Sequence, residues 1–274
     1  SLGSGGGGGG GGGAPVTVRV QLDRLVVTEK IALTGLGGVF DTKGGFRGDF
    51  AARVNGGAVV RGALAPMAQG TAVRILSEDA GGVMASTGIF PDARGGSLDL
   101  NLLPTGPKGH YNGHASASDV RVQNAPVLAA LLSAISVVGI LEQLNGDGLV
   151  FNQAEADFRL TPAAIEITRG SAVGASLGVS VAGIYDVVGK RLDMQGVISP
   201  IYLLNGIGAV LTRRGEGLFG FNYKLGGSSD RPSVTVNPLS ILTPGMFREI
   251  FRAPAPVLEG PCAYPISTST FPRP

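Results

Sequence analysis

Apolar and polar residues alternate along much of the chain, with the period of two that is typical of half-buried β-strands. The alternation begins at Val16 and is clearest over residues 16–22, 97–102, 154–160 and 219–225. Glycine- and asparagine-rich turn signals separate such stretches: Asn55-Gly56-Gly57, Asn112-Gly113, Asn145-Gly146-Asp147-Gly148 and Gly226-Gly227. Short strands joined by turns predict a mainly β fold, an elongated, twisted antiparallel meander.

One segment departs from this rhythm. Residues 125–141 carry no charge, and apolar residues recur there at helical spacing: Leu128, Leu131, Leu132, Ile135 and Val138. Asn124 is a suitable N-cap, Pro126 fits a first helical turn, and Asn145-Gly146 would end the helix. We therefore predict one long apolar helix over about residues 125–144. Its uncharged part, about 25 Å long, is at the short limit for crossing a bilayer, so we favour burial against the sheet over a membrane span.

The amino-acid composition excludes some classes of function. The 274 residues contain 46 Gly and no Trp, only 15% are charged, and the net charge is +2. A nucleic-acid binder would show clustered Lys and Arg with aromatic residues for stacking, and neither is present. Residues 1–14 read as a flexible glycine linker, 15–252 as the folded domain with short helices near its end, and 253–274 as an unstructured tail. Cys262 is the single cysteine, which excludes an intrachain disulfide.

Catalytic motifs are weak throughout. Residues 174–178 match the G-x-S-x-G nucleophile elbow around Ser176, but a strand pattern follows and both histidines lie upstream. His110 and His114 have the spacing of zinc ligands on a helix, whereas in an extended strand their rings would be about 13 Å apart. We predict no enzyme, no metal site and no cofactor, and keep a hydrolase that uses Ser176 as the weakest hypothesis.

Several ordered blocks in the second half of the chain are similar to one known family. They are residues 124–128, 144–148, 156–160, 165–167, 181–183, 196–200, 205–208, 217–227, 232–239 and 243–250. In this order the blocks resemble the AsmA-like family of Gram-negative envelope proteins, particularly the large YhdP-type members. The resemblance covers about residues 44–251 and is strongest from Pro126 onward.

The resemblance implies a long β-groove with an apolar interior, similar to bridge-like lipid transfer proteins. It implies no catalytic residues, a periplasmic location, an inner-membrane anchor through an N-terminal segment that this chain does not contain, and a role in phospholipid transport to the outer membrane. Residues 126–144 and 201–210 would be end elements near or in a membrane. We expect acyl chains to contact the following residues: Leu128, Leu131, Leu132, Ile135, Val138, Leu203, Leu204 and Phe219.

Phospholipid acyl chains, a membrane and other envelope proteins are therefore the expected partners. The alternative hypothesis is a dry structural β-scaffold that binds a protein partner through a sheet edge.

Overall fold

A single antiparallel sheet of 13 strands makes up most of the protein. The computed structural model describes residues 17–42, 45–200, 220–228 and 231–237. Each strand pairs with its neighbours in sequence, so the sheet order is β1 to β13 without a crossover. The strands are β1 Thr17–Val26, β2 Ala32–Asp41, β3 Arg47–Val54, β4 Val59–Met67, β5 Gly70–Ser77, β6 Ser97–Pro104, β7 Tyr111–Val122, β8 Leu149–Leu160, β9 Ala164–Gly174, β10 Leu177–Asp186, β11 Arg191–Pro200, β12 Phe221–Ser228 and β13 Arg231–Asn237. The predicted meander is confirmed.

The two faces of the sheet differ in polarity because directly opposed residues on neighbouring strands point to the same side. One row across β5–β9 contains Val73, Leu102, Gly113, Phe158 and Ile167. We call the side that carries this row the apolar face. The adjacent row across β5–β9 points the other way and contains Arg74, Asn101, His114, Asp157 and Arg169. We call that side the polar face.

Three short helices lie in the described part of the chain. Helix α1 (Ala80–Thr87) connects β5 to β6, and α2 (Pro126–Ala134) and α3 (Val138–Asn145) connect β7 to β8. The main core joins residues of α2 and α3 to apolar-face residues such as Ala154, Ala172 and Ile198. The helices therefore cover the part of the apolar face that is nearest to the β7–β8 connection.

The sheet curls around helix α2. This helix follows β7 in the chain, yet it also packs against β13, six strands further along the sheet. In a flat sheet β7 and β13 would be about 29 Å apart, far more than the diameter of one helix. The strands from β7 to β13 must therefore bend toward the helix, with the apolar face on the inside.

The prediction of one long helix over residues 125–144 is wrong. The segment forms two helices separated by a turn in which Ser136 adopts a left-handed conformation, with φ 57°. The turn is stabilised by the Val137 amide, which donates to the Leu132 carbonyl oxygen at 3.1 Å. β-Branched and serine residues have low helix propensity. The break also allows both Val137 and Ile140 to enter the core.

The prediction that Asn124 caps the start of the helix is also wrong, whereas the predicted end at Asn145-Gly146 is confirmed. Ala125 takes the N-cap position and Pro126 the first turn, without a side-chain cap. Asn124 instead has φ 46°, and its side-chain amide donates to Asp92. Gly146 is the C-cap residue of α3, as the Asn145-Gly146 signal indicates.

Two of the four turn signals lie inside strands. Asn55 and Gly56 both have positive φ, as a tight β3–β4 turn requires, so that prediction is confirmed. Asn112-Gly113 lies within β7 and Gly226-Gly227 within β12, so these two predictions are wrong. Gly113 has a packing role instead, described below. The predicted short helices near the C-terminus lie outside the described residues.

Candidate functional site

Part of the apolar face extends beyond the main core and beyond a second core, which is formed by Leu33, Leu36, Ala52, Val54 and Val60. Six half-buried aliphatic and aromatic side chains from β5, β6, β8 and β9 lie there and are members of neither core cluster. They form two neighbouring rows across the sheet. We call this set the open strip, and it consists of Val73, Leu102, Phe158, Leu160, Ile165 and Ile167. Five strands at the usual spacing give it a width of about 19 Å.

Aromatic rings packed on glycines form much of the floor of the apolar face. Phe158 lies directly opposite Gly113, and a Cβ atom on that glycine would collide with the phenyl ring. The same arrangement occurs where Phe50 opposes Gly62, and where Phe40 opposes Gly48. A ring that covers an opposing glycine shields the backbone and fixes the strand register. These rings therefore place hydrocarbon over the backbone at three points of the apolar face.

The predicted acyl-chain contacts fall into three groups. Leu128, Leu131 and Leu132 are buried in the main core, where their neighbours are protein side chains. Ile135 packs against that core from its edge, whereas Val138 is 63% exposed. Leu203, Leu204 and Phe219, like the predicted end element at 201–210, lie outside the described residues. Contact of these residues with lipid stays a prediction.

Sequence reasoning missed the open strip because its residues are spread over four strands of a long meander. Each strand alone shows only ordinary alternation, and the register between strands decides which residues share a row. The alternation of residues 97–102 and 154–160 was the available signal, since it identifies Leu102, Phe158 and Leu160 as residues of one face.

The polar face of β7–β9 carries a hydrogen-bonded ion-pair cluster. His114 Nδ1 lies 2.7 Å from Asp157 Oδ1, and the Arg169 Nε donates to Asp157 Oδ2 at 3.0 Å. Partial burial acts to raise the pKa of the Asp157 carboxyl, but the hydrogen bonds from His114 and Arg169 outweigh it, so this pKa lies below its ordinary value. The cluster therefore contributes to stability when the carboxyl group is ionised.

A second ion pair lies on the same face, between β8 and β9. Arg159 and Glu166 are directly opposite each other, with Nη1 3.4 Å from Oε2. The Glu166 side chain is only 1% exposed, and its Oε2 atom has no hydrogen-bond partner among the described residues. A buried carboxylate of this kind depends on the neighbouring cation.

The polar face also contains a solvent-open groove of about 850 Å³ across β1–β5. Its charged lining residues are Arg19, Asp49, Arg61 and Arg74, and its apolar ones include Val39 and Leu76. Arg74 already makes a two-pronged ion pair with Asp99, at 3.1 and 2.7 Å, and these hydrogen bonds raise the pKa of its guanidinium group. Because charged side chains line this groove, we regard the opposite, apolar face as the better candidate site for a hydrocarbon ligand.

The residues considered for catalysis have structural partners. Ser176 lies in the connection between β9 and β10, and its hydroxyl is 3.0 Å from Gln143 Oε1. A strand follows it, where a nucleophile elbow requires a helix. His110 contacts the Lys108 carbonyl oxygen, while His114 belongs to the Asp157 cluster. Within residues 17–42, 45–200, 220–228 and 231–237, no three His, Cys, Asp or Glu side chains form a metal site.

None of the helices in the described part of the chain has the length and apolar character needed to span a bilayer. Comparison with protein-family models, with curated protein sequences and with solved structures found no match.

Proposed function

We propose that this chain is a non-enzymatic lipid-binding segment that holds phospholipid acyl chains against its open strip. The observation that carries the proposal is the extension of an apolar face, which includes the Phe158 ring packed on Gly113, beyond the cores that α1–α3 complete. Binding of a hydrocarbon ligand would remove this apolar surface from water, and that removal has a favourable free energy.

The dimensions of the open strip fit such a ligand. The strip is about 19 Å wide across the strands, and one leaflet of a bilayer core, which is the length of one acyl chain, is about 15 Å thick. The strip carries no charged side chain, while the charged residues of the same strands, such as Asp99 and Asp157, point to the other face. An acyl chain could therefore lie across the strands without desolvating an ion.

The biological role that we propose follows the AsmA-like resemblance. It is participation in phospholipid transport between the inner and outer membrane, in a periplasmic protein that is anchored to the inner membrane. An open meander is compatible with this role because each added strand lengthens the same apolar face.

The test is binding of a fluorescent phospholipid, together with mass spectrometry of lipids that copurify with the protein. We expect bound phospholipid, and we expect a double variant in the strip, Leu102→Asn with Ile167→Asn, to reduce binding at least several-fold. Ser116→Asn, on the polar face of β7, is the matched control and should bind as the original chain does. Circular dichroism checks that all variants are folded.

A folded protein that neither copurifies with phospholipid nor binds the fluorescent one would contradict the proposal. Equal loss of binding in the control would also contradict it, because the polar face should play no part. Leu131→Asp is a poor probe, since Leu131 is 2% exposed and a buried carboxylate there would unfold the core.

The second candidate function, a scaffold that binds protein through a sheet edge, is favoured by a separate observation. Among the described strands, β1 stands at one end of the sheet and pairs with β2 alone, and a strand of a protein partner could add to its other side.

A further inference from the structure

The connections between strands lie on two opposite edges of the sheet, because successive antiparallel strands turn back alternately at one end and at the other. One edge carries α1, α2 and α3 together with the β1–β2, β3–β4 and β9–β10 turns. We call it the helix edge. The other edge carries the β2–β3, β4–β5, β6–β7, β8–β9, β10–β11 and β12–β13 turns, and we call it the turn edge.

The two edges differ in charge. Charged side chains were compared among the described connecting residues and the strand-end residues that flank them. The turn edge carries two acidic side chains, Asp41 and Asp186, and five basic ones: Arg47, Lys108, Lys190, Arg191 and Arg231. The helix edge carries two basic side chains, Lys30 and Arg94, and six acidic ones: Glu29, Glu78, Asp79, Asp92, Glu142 and Asp147. Exposed apolar side chains occur on both edges, so it is the charge that distinguishes them.

Three successive turns of the turn edge are in contact with one another. They are residues 105–110, 161–163 and 187–190. A Cβ atom on Gly109 would lie 3.1 Å from the Pro162 ring, so the first of these turns packs on the second. The Val187 amide donates to the Ala163 carbonyl oxygen at 2.8 Å, which joins the second turn to the third. We call these three turns, together with Arg191, the turn patch.

The β10–β11 turn gives the turn patch an apolar tip. Val187 and Val188 are 40% and 78% exposed, and the second value is the highest among the large apolar side chains that the structure describes. Asp186 Oδ1 accepts hydrogen bonds from the Val188 and Gly189 amides at 3.0 and 2.9 Å. These bonds hold the turn in one shape, so the two valines are presented to solvent by an ordered backbone.

Basic side chains accompany this tip. Lys190 and Arg191 follow it in the chain, Lys108 belongs to the neighbouring turn, and all three are exposed. The surface of a bilayer that contains anionic lipids is complementary to this combination. Its headgroups attract Lys and Arg, and exposed apolar side chains enter the boundary between the headgroups and the acyl chains.

We propose that the turn patch docks this protein on the surface of an anionic lipid bilayer, with Val187 and Val188 entering the headgroup layer. The open strip ends at the same place, since Leu160 and Ile165 flank the turn at 161–163. Docking therefore brings the end of the strip to the bilayer, a step that rests on the proposed lipid binding. The docking itself does not depend on lipid in the strip, so the two can be tested separately.

Sedimentation with lipid vesicles tests the docking and its charge dependence. The full chain should bind vesicles of phosphatidylglycerol and phosphatidylcholine, and bind phosphatidylcholine vesicles far more weakly. Lys108→Gln with Lys190→Asn should weaken binding to the mixed vesicles by roughly tenfold or more, because two cations are removed from the surface that meets the headgroups. Asparagine suits position 190, where φ is 51°. Lys30→Gln with Lys224→Gln is the matched control, since it removes the same charge away from the turn patch and should bind as the original chain does.

Tryptophan fluorescence tests the insertion of the tip, because the chain has no tryptophan of its own. The emission of Val188→Trp should shift to shorter wavelength when mixed vesicles are added, since the indole ring leaves water for the membrane interface. Ile89→Trp is the matched control. Ile89 is 66% exposed but lies on the helix edge, so its emission should not change.

Three outcomes would overturn the proposal: no binding to the mixed vesicles, equal losses in the two lysine double variants, or a shift of the emission in Ile89→Trp alone. The strip variant, Leu102→Asn with Ile167→Asn, should still bind vesicles, because its turn patch is intact. A chain that copurifies with phospholipid yet does not bind vesicles would refute the docking and leave the proposed function standing. Circular dichroism checks that every variant is folded.

Discussion

Leu132 provides the sharpest test of the role assigned to helix α2. Its side chain is fully buried, with 0% exposure, in the core that joins α2 and α3 to the curled sheet. Replacing a buried leucine with alanine removes three carbon atoms and leaves a cavity, which costs about 2–5 kcal/mol. Because the curl of the sheet depends on α2, we expect Leu132→Ala to lie near the middle of that range, at about 3 kcal/mol.

Val138 is the matched control on the next helix. It is apolar and belongs to the same uncharged segment, but it is 63% exposed. Val138→Ala should therefore change the free energy of unfolding by no more than about 0.5 kcal/mol. For a chain of this size, the loss expected for Leu132→Ala corresponds to a fall in Tm of about 6–12 °C.

Urea denaturation followed by circular dichroism and by tyrosine fluorescence would measure both variants. The denaturation midpoint of Leu132→Ala should fall while the dependence on urea stays constant, which indicates lost stability without a change in compactness. A loss below about 1 kcal/mol, or equal losses for the two variants, would refute the placement of α2 in the core. The helix would then be free to contact lipid, as the sequence alone suggested.

Three further predictions concern the sheet. The pKa of the Asp157 carboxyl is depressed, so its stabilising effect should be present at neutral pH and lost as the pH falls below the ordinary carboxyl pKa of 3.8. Asp157→Asn should be less stable than the original chain at pH 7, and the difference should shrink as the pH of the denaturation experiment is lowered. Arg159→Met should cost about 3–5 kcal/mol by leaving Glu166 buried beside an apolar side chain, and adding Glu166→Leu should recover most of that loss in thermal unfolding. Gly113→Ala should cost about 1–3 kcal/mol in urea because its methyl group displaces the Phe158 ring, whereas Gly37→Ala, with no atom within 4 Å of the added carbon, should be close to neutral.

The fold class follows from local pattern. Alternation with a period of two identified β1, β6, β8 and β12, because successive side chains of a strand point to opposite faces of the sheet. Helix α1 was missed although its ends carry signals. Asp79 accepts a hydrogen bond from the Gly82 amide at the N-terminus, and Gly88 adopts a left-handed conformation, φ 76°, at the other end.

The wrong predictions for the 125–144 helix and the Asn112-Gly113 turn concern features that depend on residues far away in the chain. An uncharged run with helical spacing does not reveal that the chain turns at Ser136, since the turn is stabilised by burying Val137 and Ile140 against distant strands. Asn112-Gly113 has the composition of a hairpin turn, yet the glycine is needed to receive the ring of Phe158 from β8.

Local sequence pattern therefore predicts the meander, the alternation within the strands and the lack of a strong catalytic motif, because each of these depends on neighbouring residues. The tertiary structure decided the register between strands, the curl around α2 and hence the division of the apolar face into a helix-packed core and an open strip. The physical reason is that register and curl are set by side chains far apart in the chain, such as those of α2 and β13, whose packing together no local period can encode.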